Sequence, residues 1–403
     1  MTPTRIIVTG DIFRPNKAAD ENSQEINIRW MKGLFQPCLE QATGLPVTLV
    51  TVADLAGSLP ALYAGLGQDP TVDSWAALYQ ALPDALTDRL KALFADSFVV
   101  GFELPPSLLA LLEDMGVPYV DVVLHPVRYM QDLLLGFDSN VPAIAERLQA
   151  HCMSEVRART ATGVMRAFAA RFRLPQVPPA SVLFIGQMSQ DRSMISDGRF
   201  LRPEDYMEGL IARVRALSSH GTVLVKLHPL ERNLAVLEAL RGAKFDIVET
   251  DEQVYALLSS GLVSSVVSVS SSVGEEARFF GLEAEYGLAL STPVRYRESP
   301  ADQPGHISIY DDFLATDFWR EVLAPVLPVT APDGLAPEGA PNLLRTTLRT
   351  YWGYEDFAFD GPIRMSRKWA GTHGAEKIAL PILRGLEQAT LRTRRRLLDL
   401  IGR

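Results

Sequence analysis

Two short apolar stretches of the sequence each lead into polar residues that could take part in group transfer. The stretch SVLFIGQMSQDR carries Asp191, and the stretch TVLVKLHP carries Lys226 and His228. A carboxylate can act as a nucleophile or base, while an imidazole and an ammonium group can stabilise negative charge on a leaving group. Each residue alone also fits a structural role, Asp191 as a turn cap and His228 as a packed histidine at a strand end. Together they favour a functional site.

The residues before these groups predict the strands that would position them. Residues 182–185 are uniformly apolar, which is typical of a parallel strand covered on both faces. Gly186 ends this run and permits a tight turn, so Gln187 and the polar loop after it would lie at the carboxyl end of the strand. Residues 222–227 predict a second strand of the same kind. Because ligands bind at this edge of open α/β sheets, we expect both loops to line one site.

The second half of the chain alternates between apolar strands and helical patterns. Further strands are predicted at residues 245–248 and 263–269, and such alternation indicates βαβ units and a parallel sheet. The last of these strands runs into the string VSVSSSVGEEARFFG. Serine hydroxyls and free amides at a helix start can bind an anion, although each serine could instead cap the helix. We expect Ser270, Ser271 and Ser272 to favour phosphate binding.

The first half repeats the pattern of a strand followed by a polar group. Strands predicted at residues 5–9, 97–103 and 118–124 lead to four polar residues, which are Asp11, Glu103, His125 and Arg128. Glu103 precedes two prolines, so it would lie at the entry to a helix, where a carboxylate also favours the helix dipole. The loop after the first strand lacks the GxGxxG fingerprint, and no P-loop string occurs. The sequence therefore gives no support for a dinucleotide site.

Size and composition favour a globular protein of two domains. The chain has 403 residues, of which 47% are hydrophobic, and a net charge of −9. The acidic balance argues against a nucleic-acid partner. No apolar run approaches the roughly 18 residues of a membrane-spanning helix, and the first residues predict a strand rather than a signal peptide. Cys38 and Cys152 lack metal-ligand spacing and are predicted to be free thiols.

A proline-rich segment, LPQVPP at residues 174–179, predicts the boundary between the halves, because its prolines stiffen the chain and forbid a continuing helix. We expect an N-terminal Rossmann-like domain at residues 1–174 and a C-terminal one at residues 180–330. Residues 331–403 would form a helical extension that packs back on the domains. The predicted fold class is thus α/β, GT-B-like, with two Rossmann-like domains facing across a cleft and C-terminal helices.

At these motifs the sequence resembles a known family, the retaining β-Kdo glycosyltransferases of bacterial capsule and O-antigen assembly, which include glycosyltransferase family 99 and the capsule-linker Kdo transferases. The resemblance rests on the QxxxD motif from Gln187 to Asp191, the HP motif at His228 and Pro229, the serine-rich helix start and the GFELPP segment. These short motifs lie between residues 101 and 281. The resemblance implies a CMP-β-Kdo donor, bound mainly by the second domain, and a lipid-linked glycan acceptor. It also implies transfer with retention of configuration.

The resemblance implies roles for individual residues as well. Asp191 would be the nucleophile that attacks the anomeric carbon, His228 would lie at the CMP phosphate, and Glu103 would be the acid/base catalyst on the acceptor side. Asp11 would also lie on the acceptor side. A larger set would bind the donor: Gln187, Lys226, Pro229, Ser270, Ser271, Ser272, Arg128 and His125. We expect no cofactor and no metal ion, because no His/Cys cluster or DxD string stands out at the proposed site.

Two other interpretations of the sequence stay open. An inverting CMP-sugar enzyme of the sialyltransferase type also uses an HP motif, and it could dispense with Asp191 because it needs only one base. A non-catalytic module could bind a nucleotide between two α/β halves without turnover. We predict a cytoplasmic location with peripheral contact to the inner membrane through the basic face of the last predicted helix, at residues 382–401. A solvated basic face is the alternative for that helix.

Overall fold

The computed structural model describes residues 2–169, 175–218, 222–228, 234–288, 292–332 and 343–351. The strands are β1 Arg5–Gly10, β2 Val47–Leu49, β3 Ser97–Phe102, β4 Tyr119–Leu124, β5 Leu135–Ser139, β6 Ser181–Ile185, β7 Ile195–Ser196, β8 Arg199–Phe200, β9 Thr222–Lys226, β10 Asp246–Glu249, β11 Val263–Ser268, β12 Glu283–Tyr286, β13 Val294–Arg295 and β14 His306–Ile309. The helices are α1 Glu25–Thr43, α2 Val52–Ala56, α3 Leu59–Gly65, α4 Val72–Gln80, α5 Asp84–Phe94, α6 Pro106–Asp114, α7 Pro142–Ala150, α8 Glu155–Ala169, α9 Pro203–Leu217, α10 Leu234–Gly242, α11 Val254–Ser259, α12 Val273–Phe279, α13 Thr316–Leu323 and α14 Leu343–Tyr351.

The first sheet contains seven strands in the order β13-β14-β5-β4-β3-β1-β2. Strands β1 to β4 pair in parallel, while β5 runs antiparallel to both β4 and β14. Strands β2 and β3 lie on opposite sides of β1, so the direction of winding reverses there. Such a switch point leaves a crevice at the carboxyl ends of the strands, where open α/β sheets bind ligands.

The second sheet contains five parallel strands in the order β10-β9-β6-β11-β12. Counted from β6 along the chain, this order is 3-2-1-4-5, which is the Rossmann arrangement. The switch point lies between β6 and β11. The loops that follow these two strands therefore flank the predicted crevice of the second half.

The central strands are largely apolar because helices cover both faces of each sheet. Every residue of β3 and of β6 is buried. Helices α1 and α9 each bury one apolar stripe, which includes Phe35 and Leu39 in α1 and Leu210 and Val214 in α9. The structure confirms the α/β class with two Rossmann-like halves. The carboxyl ends of both sheets line one cavity, as described below, so the expected cleft between the halves is also confirmed.

The chain returns to the first sheet after completing the second. Strand β14 pairs antiparallel with β5, and β13 pairs with β14. Residues 294–309 had been assigned to the second domain, and β5, β13 and β14 had not been predicted. Strand β14 contributes only four residues, and its place is set by pairing with a strand about 170 positions earlier, which local periodicity does not reveal. The predicted domain limits stay a prediction.

Part of the expected C-terminal extension lies within the described residues. Helix α14 packs on α1, where the indole Nε1 of Trp30 donates a hydrogen bond to Thr347 Oγ1 over 2.9 Å. The carboxylate of Asp132 accepts from the backbone amides of Leu344 and Arg345 at the start of α14. The predicted basic helix at residues 382–401 lies outside the described residues. None of the helices that are described is both long and apolar enough to cross a membrane.

Candidate active site

The carboxyl ends of the two sheets enclose a cavity of about 330 Å³, which we call the cleft cavity. Residues after β1 and β3 of the first sheet and after β6, β9 and β11 of the second contribute to its wall, so it lies at both switch points. Its lining consists of Arg14, Glu103, Leu124, Pro126, Arg128, Gly186, Gln187, Met188, Asp191, Arg192, His228, Ser270, Ser271, Ser272 and Thr292. The described lining thus brings together the QxxxD motif, the histidine of the HP motif, the serine run and Glu103.

Gln187 links the two loops at the switch point of the second sheet. Its side-chain Oε1 accepts hydrogen bonds from the backbone amide of Ser270 over 2.7 Å and from the Ser270 hydroxyl over 3.0 Å. The Ser270 hydroxyl also lies 2.5 Å from the hydroxyl of Ser193. Gln187 therefore holds the loop after β6 against the loop after β11, and this gives the first position of the QxxxD motif a structural reason.

Gly186 permits the loop after β6 to approach the backbone next to the HP motif. A methyl group at this position would lie 3.0 Å from the backbone nitrogen of His228 and 3.1 Å from the Cα of Leu227. The amide of Gly186 also donates to the Lys226 carbonyl over 2.8 Å. A side chain here would push the two backbone segments apart by a few tenths of an ångström, so glycine favours the close approach that brings His228 and Asp191 to the same cavity. Pro229 lies outside the described residues.

Asp191 begins the 3₁₀ helix Arg192–Met194. Its Oδ1 accepts a hydrogen bond from the Ser193 amide over 3.0 Å, so the residue is a turn cap, as one of the two interpretations expected. Its Oδ2 has no hydrogen-bond partner among the described residues. Because the cap uses one carboxylate oxygen and fixes the orientation of the group at the cavity wall, it is compatible with a reaction at the other oxygen.

Glu103 occupies a backbone conformation that is unusual for a residue with a side chain. Its φ is +52°, in the left-handed region. The backbone is held there by two hydrogen bonds, from the Glu103 amide to the Val122 carbonyl over 2.8 Å and from the Leu104 amide to the Asp121 carboxylate over 2.9 Å. Such strain costs about 1–3 kcal/mol and is typical of functional sites. Here it turns the carboxylate into the cleft cavity.

Arg192 connects the two halves inside the cavity. Its guanidinium lies 3.5 Å from the carboxylate of Glu103 and donates a hydrogen bond to Thr292 Oγ1 over 2.5 Å. The side chains of Arg192 and Glu103 are only 11% and 15% exposed, so solvent screens their attraction much less than at a surface. Burial alone would lower the pKa of Arg192, but the nearby carboxylates outweigh it and keep the group charged.

His125 is fully buried behind the cavity and engaged by protein partners. Its Nδ1 accepts a hydrogen bond from the Val127 amide over 3.0 Å, so the ring proton resides on Nε2, which lies 2.9 Å from the Ser308 hydroxyl. Burial lowers the pKa of His125 to about 3, and the ring is neutral at physiological pH. His125 does not belong to the described cavity lining, and its contact with the donor stays a prediction.

Asp11 has a similar structural environment. Its Oδ1 accepts from the Phe13 amide over 3.1 Å and its Oδ2 from the indole of Trp75 over 2.9 Å. Burial raises the pKa of Asp11 to about 6, even though the Trp75 hydrogen bond acts in the opposite direction. The side chain holds the loop after β1 in place and lies outside the described lining of the cavity. Its acceptor-side role stays a prediction.

The other predicted donor-binding residues fall into two groups. Arg128 lines the cavity, and its Nε donates to the His125 carbonyl over 2.7 Å. Ser270, Ser271 and Ser272 also line it, next to the seven-residue helix α12. Lys226 is the last residue of β9, paired with Ile185, and is not part of the described lining.

Sequence reasoning did not assign Arg14 and Thr292 to the site. Arg14 lies in the loop after β1, donates to the Gln190 carbonyl, and places its guanidinium 5.0 Å from the centre of the Trp75 ring. The signal that could have identified Arg14 is its position in the loop that follows the first strand, since such loops line ligand sites. Thr292 follows a stretch without periodicity, and nothing in the local sequence indicates its place.

The cavity combines carboxylates from both halves with several cations. Glu103 and Asp191 can supply a base and a nucleophile, while Arg14, Arg128 and Arg192 can attract an anionic ligand. Among the described residues no cluster of three His, Cys, Asp or Glu side chains could hold a metal ion. Metal independence stays a prediction for a direct test.

Comparisons with known proteins leave the function open. No protein-family model and no curated protein matches the sequence. Among solved structures, the chain is similar to KpsC of Thermosulfurimonas dismutans, a β-Kdo 2,7 transferase, with a TM-score of 0.37 and 13% sequence identity. The likeness covers 79% of this chain and 90% of that one. We therefore base the function proposed below on the cleft cavity and its motifs.

Proposed function

We propose that the chain is a retaining glycosyltransferase that transfers β-Kdo from CMP-β-Kdo to a glycan acceptor of a bacterial O-antigen or capsule. The observation that carries the proposal is that two carboxylates from different halves, Glu103 and Asp191, line one cavity. Double displacement with retention requires two such groups, one as nucleophile and one to handle the proton of the acceptor. The choice of CMP-Kdo as donor is supported by the resemblance of the QxxxD and HP motifs.

In the first step, a carboxylate oxygen of Asp191 attacks the anomeric carbon of the donor sugar. The bond from that carbon to the phosphate oxygen breaks, and its electron pair leaves with CMP. Negative charge develops on the phosphate, where His228 and Arg128 of the cavity wall can stabilise it. No proton is needed to expel a phosphate, so Glu103 can remain a carboxylate during this step.

In the second step, an acceptor hydroxyl attacks the same carbon from the face that CMP has left. Glu103 takes the hydroxyl proton, and the bond to Asp191 breaks to restore its carboxylate. Two inversions give net retention. The position of Glu103 on the first half, opposite Asp191, is the arrangement that such a division of roles requires.

The acceptor is proposed to be a lipid-linked glycan, and the protein would then work at the cytoplasmic face of the inner membrane. The segment proposed for peripheral contact, at residues 382–401, lies outside the described residues. Neither proposal enters the chemistry above, and each can be tested after the reaction itself.

The test is a search for the covalent intermediate. The protein is mixed with CMP-β-Kdo, quenched with acid and analysed by intact mass, with Asp191→Asn run in parallel. We expect an increment of one Kdo unit on the wild type and none on Asp191→Asn. Asp197→Asn is the matched control, because Asp197 is exposed, lies on the same segment and has a φ of +50°, which asparagine tolerates.

Each outcome has a distinct meaning. CMP release in the presence of acceptor with no adduct, together with an active Asp191→Asn variant, would indicate the inverting sialyltransferase type of chemistry. Binding of CMP without turnover of any CMP-sugar would indicate a nucleotide-binding module. If saturating CMP and CMP-Kdo both fail to raise the melting temperature, although about 100 times Kd should add about 2.7 kcal/mol, the proposed donor is wrong.

A further inference from the structure

The ion pair between Arg192 and Glu103 conflicts with the role proposed for Glu103. A base must be open to the acceptor hydroxyl, and a guanidinium paired with the carboxylate occupies the space beside the oxygen that the hydroxyl must reach. The two groups lie 3.5 Å apart, which exceeds the 2.7–2.9 Å of a tight charge-assisted hydrogen bond. The pair is thus an electrostatic contact without a short hydrogen bond, and an anion with better geometry could compete for Arg192.

Exchange requires a replacement anion, because an unpaired charge in a shielded site is costly. Removing one member of a buried ion pair is strongly destabilising, because it leaves the other charge uncompensated. Arg192 could leave Glu103 at little cost only if another anion took its place. On the proposed function, the donor sugar carries such an anion, a carboxylate attached to the anomeric carbon.

The position of Arg192 in the chain matches this geometry. Arg192 directly follows Asp191, and both side chains line the cleft cavity. A nucleophile and a cation on adjacent residues suit a carbon that bears both the leaving group and a carboxylate. A guanidinium binds a carboxylate through two parallel hydrogen bonds, which would also orient the carbon toward Asp191.

The other two arginines of the cavity are engaged differently. Arg128 donates its Nε to the His125 carbonyl over 2.7 Å. Arg14 donates to the Gln190 carbonyl and packs over Trp75. Of the three, only Arg192 is paired in the described structure with a carboxylate to which we assign a chemical role.

We propose that Arg192 binds the carboxylate of the donor sugar and, by this exchange of partners, releases Glu103 to act as the base for the acceptor. This inference rests on the proposed function and adds to it a specificity-determining residue. Donor binding and activation of the base are then coupled, since the Glu103 carboxylate is open to the acceptor hydroxyl only when the correct acidic sugar is in place and has taken Arg192 from it. A CMP-sugar without the carboxylate would leave the ion pair intact.

The experiment is a set of titrations with CMP and with CMP-β-Kdo by calorimetry. All variants carry Asp191→Asn so that the donor is not consumed. Arg192→Gln should weaken CMP-Kdo binding at least tenfold and leave CMP binding within twofold. Glu103→Gln should strengthen CMP-Kdo binding severalfold, because it removes the competing carboxylate, and should also leave CMP binding unchanged.

Controls separate a local effect from a change in the whole cavity. Arg14→Gln removes another arginine of the same wall and should not change the ratio of the two affinities. Arg192→Lys keeps the charge but loses the two-pronged geometry, so it should fall between wild type and Arg192→Gln. It also serves as the second variant if Arg192→Gln does not fold, as judged by thermal unfolding.

The inference is overturned if Arg192→Gln weakens CMP and CMP-Kdo by the same factor, since Arg192 would then bind the phosphate. Weaker CMP-Kdo binding by Glu103→Gln would equally contradict it. These failures differ from failure of the proposed function. If the proposed function were wrong, the Asp191→Asn parent itself would show no preference for CMP-Kdo over CMP, and the wild type would form no adduct.

Discussion

The strand ends of the two sheets carry similar polar residues, but these residues have different roles in the two sheets. In the first sheet, Asp11 and His125 are buried and bonded to the protein, and only Glu103 of the predicted strand-end acids and imidazoles lines the cleft cavity. In the second sheet, Asp191 and His228 both line it. The difference shows that a polar residue at a strand end has two fates. Either both polar atoms of its side chain are bonded to the protein, as in Asp11, or one atom faces the cavity while the other caps the turn, as in Asp191.

The cause of the difference lies in what holds each loop. After β6, Gln187 and Gly186 fix the loop, the first through its amide side chain and the second through close backbone approach. After β1, the loop has Asp11 itself as its anchor, through the Trp75 indole. In the second half, Asp191 can therefore face the cavity, whereas in the first half Asp11 holds the loop in place.

The two histidines provide the largest expected contrast. His125→Ala should lower the free energy of unfolding by about 3 kcal/mol, because it leaves a cavity and unpairs the Val127 amide and the Ser308 hydroxyl. His228→Ala should reduce kcat/KM for CMP-Kdo about 100-fold, because it removes a group that stabilises the charge on the phosphate. Chemical denaturation of His125→Ala and steady-state kinetics of His228→Ala measure the two effects. A His228→Ala variant with full activity would erase the proposed difference between the sheets.

Glu276, a buried carboxylate of the second half, should make the stability of the protein depend on pH. Its Oε1 accepts from the Arg128 amide over 2.6 Å and from the Tyr255 hydroxyl over 2.9 Å. Burial raises the pKa of Glu276 to about 7 from an ordinary value of 4.5. The folded state therefore holds an extra proton between pH 4.5 and 7, and this group's contribution makes the protein less stable as pH rises through that window.

Glu276→Gln should remove that dependence, because the amide oxygen can accept both hydrogen bonds without titrating. We expect the variant and the wild type to have similar stability near pH 4.5. The variant should gain up to about 3 kcal/mol over the wild type by pH 7.5. Thermal unfolding across this range tests the prediction, with the exposed Glu283→Gln as control. A difference that does not change with pH would contradict the assignment of a raised pKa.

Substitution of Gly186 should have the smallest effect, and it tests what holds the loop after β6 in place. Gly186→Ala should cost about 1–3 kcal/mol of stability and lower activity, because the methyl group would press on the backbone of residues 227 and 228. Gly163→Ala, in α8 with open space around it, is the control and should stabilise by about 0.5–1 kcal/mol. Equal behaviour of the two variants would mean that close approach at Gly186 does not position the site.

Local patterns in the sequence predicted much of the fold. The apolar strands and their alternation with helical patterns were sufficient to predict the α/β class. A strand buried on both faces is apolar throughout, whereas a helix buried along one stripe is apolar only every three or four residues. Six strands were missed, which are β5, β7, β8, β12, β13 and β14. Strands β13 and β14 have only two and four residues, and the pairing of β14 with β5 joins segments about 170 positions apart.

The sequence predicted the residue types at the candidate site better than it predicted the contacts between them. The turn at Gly186, the QxxxD motif and Glu103 were all visible as strand-end residues, since the edge of a parallel sheet is set by where apolar runs stop. Nothing local could show that Arg192 would reach Glu103, which lies 89 positions earlier along the chain. Nor could it show that the Asp11 carboxylate would accept a hydrogen bond from the Trp75 indole.

The sequence by itself thus determined the class of fold, the strand ends and the chemical groups at them, because these depend on local hydrophobicity and turn residues. Only the tertiary structure decided which of those groups face the cavity. That choice depends on burial and on hydrogen-bond partners supplied by distant segments, such as Ser308 for His125 and Trp75 for Asp11. A carboxylate or imidazole whose polar atoms are all engaged by such partners, as in Asp11 and His125, becomes part of the scaffold.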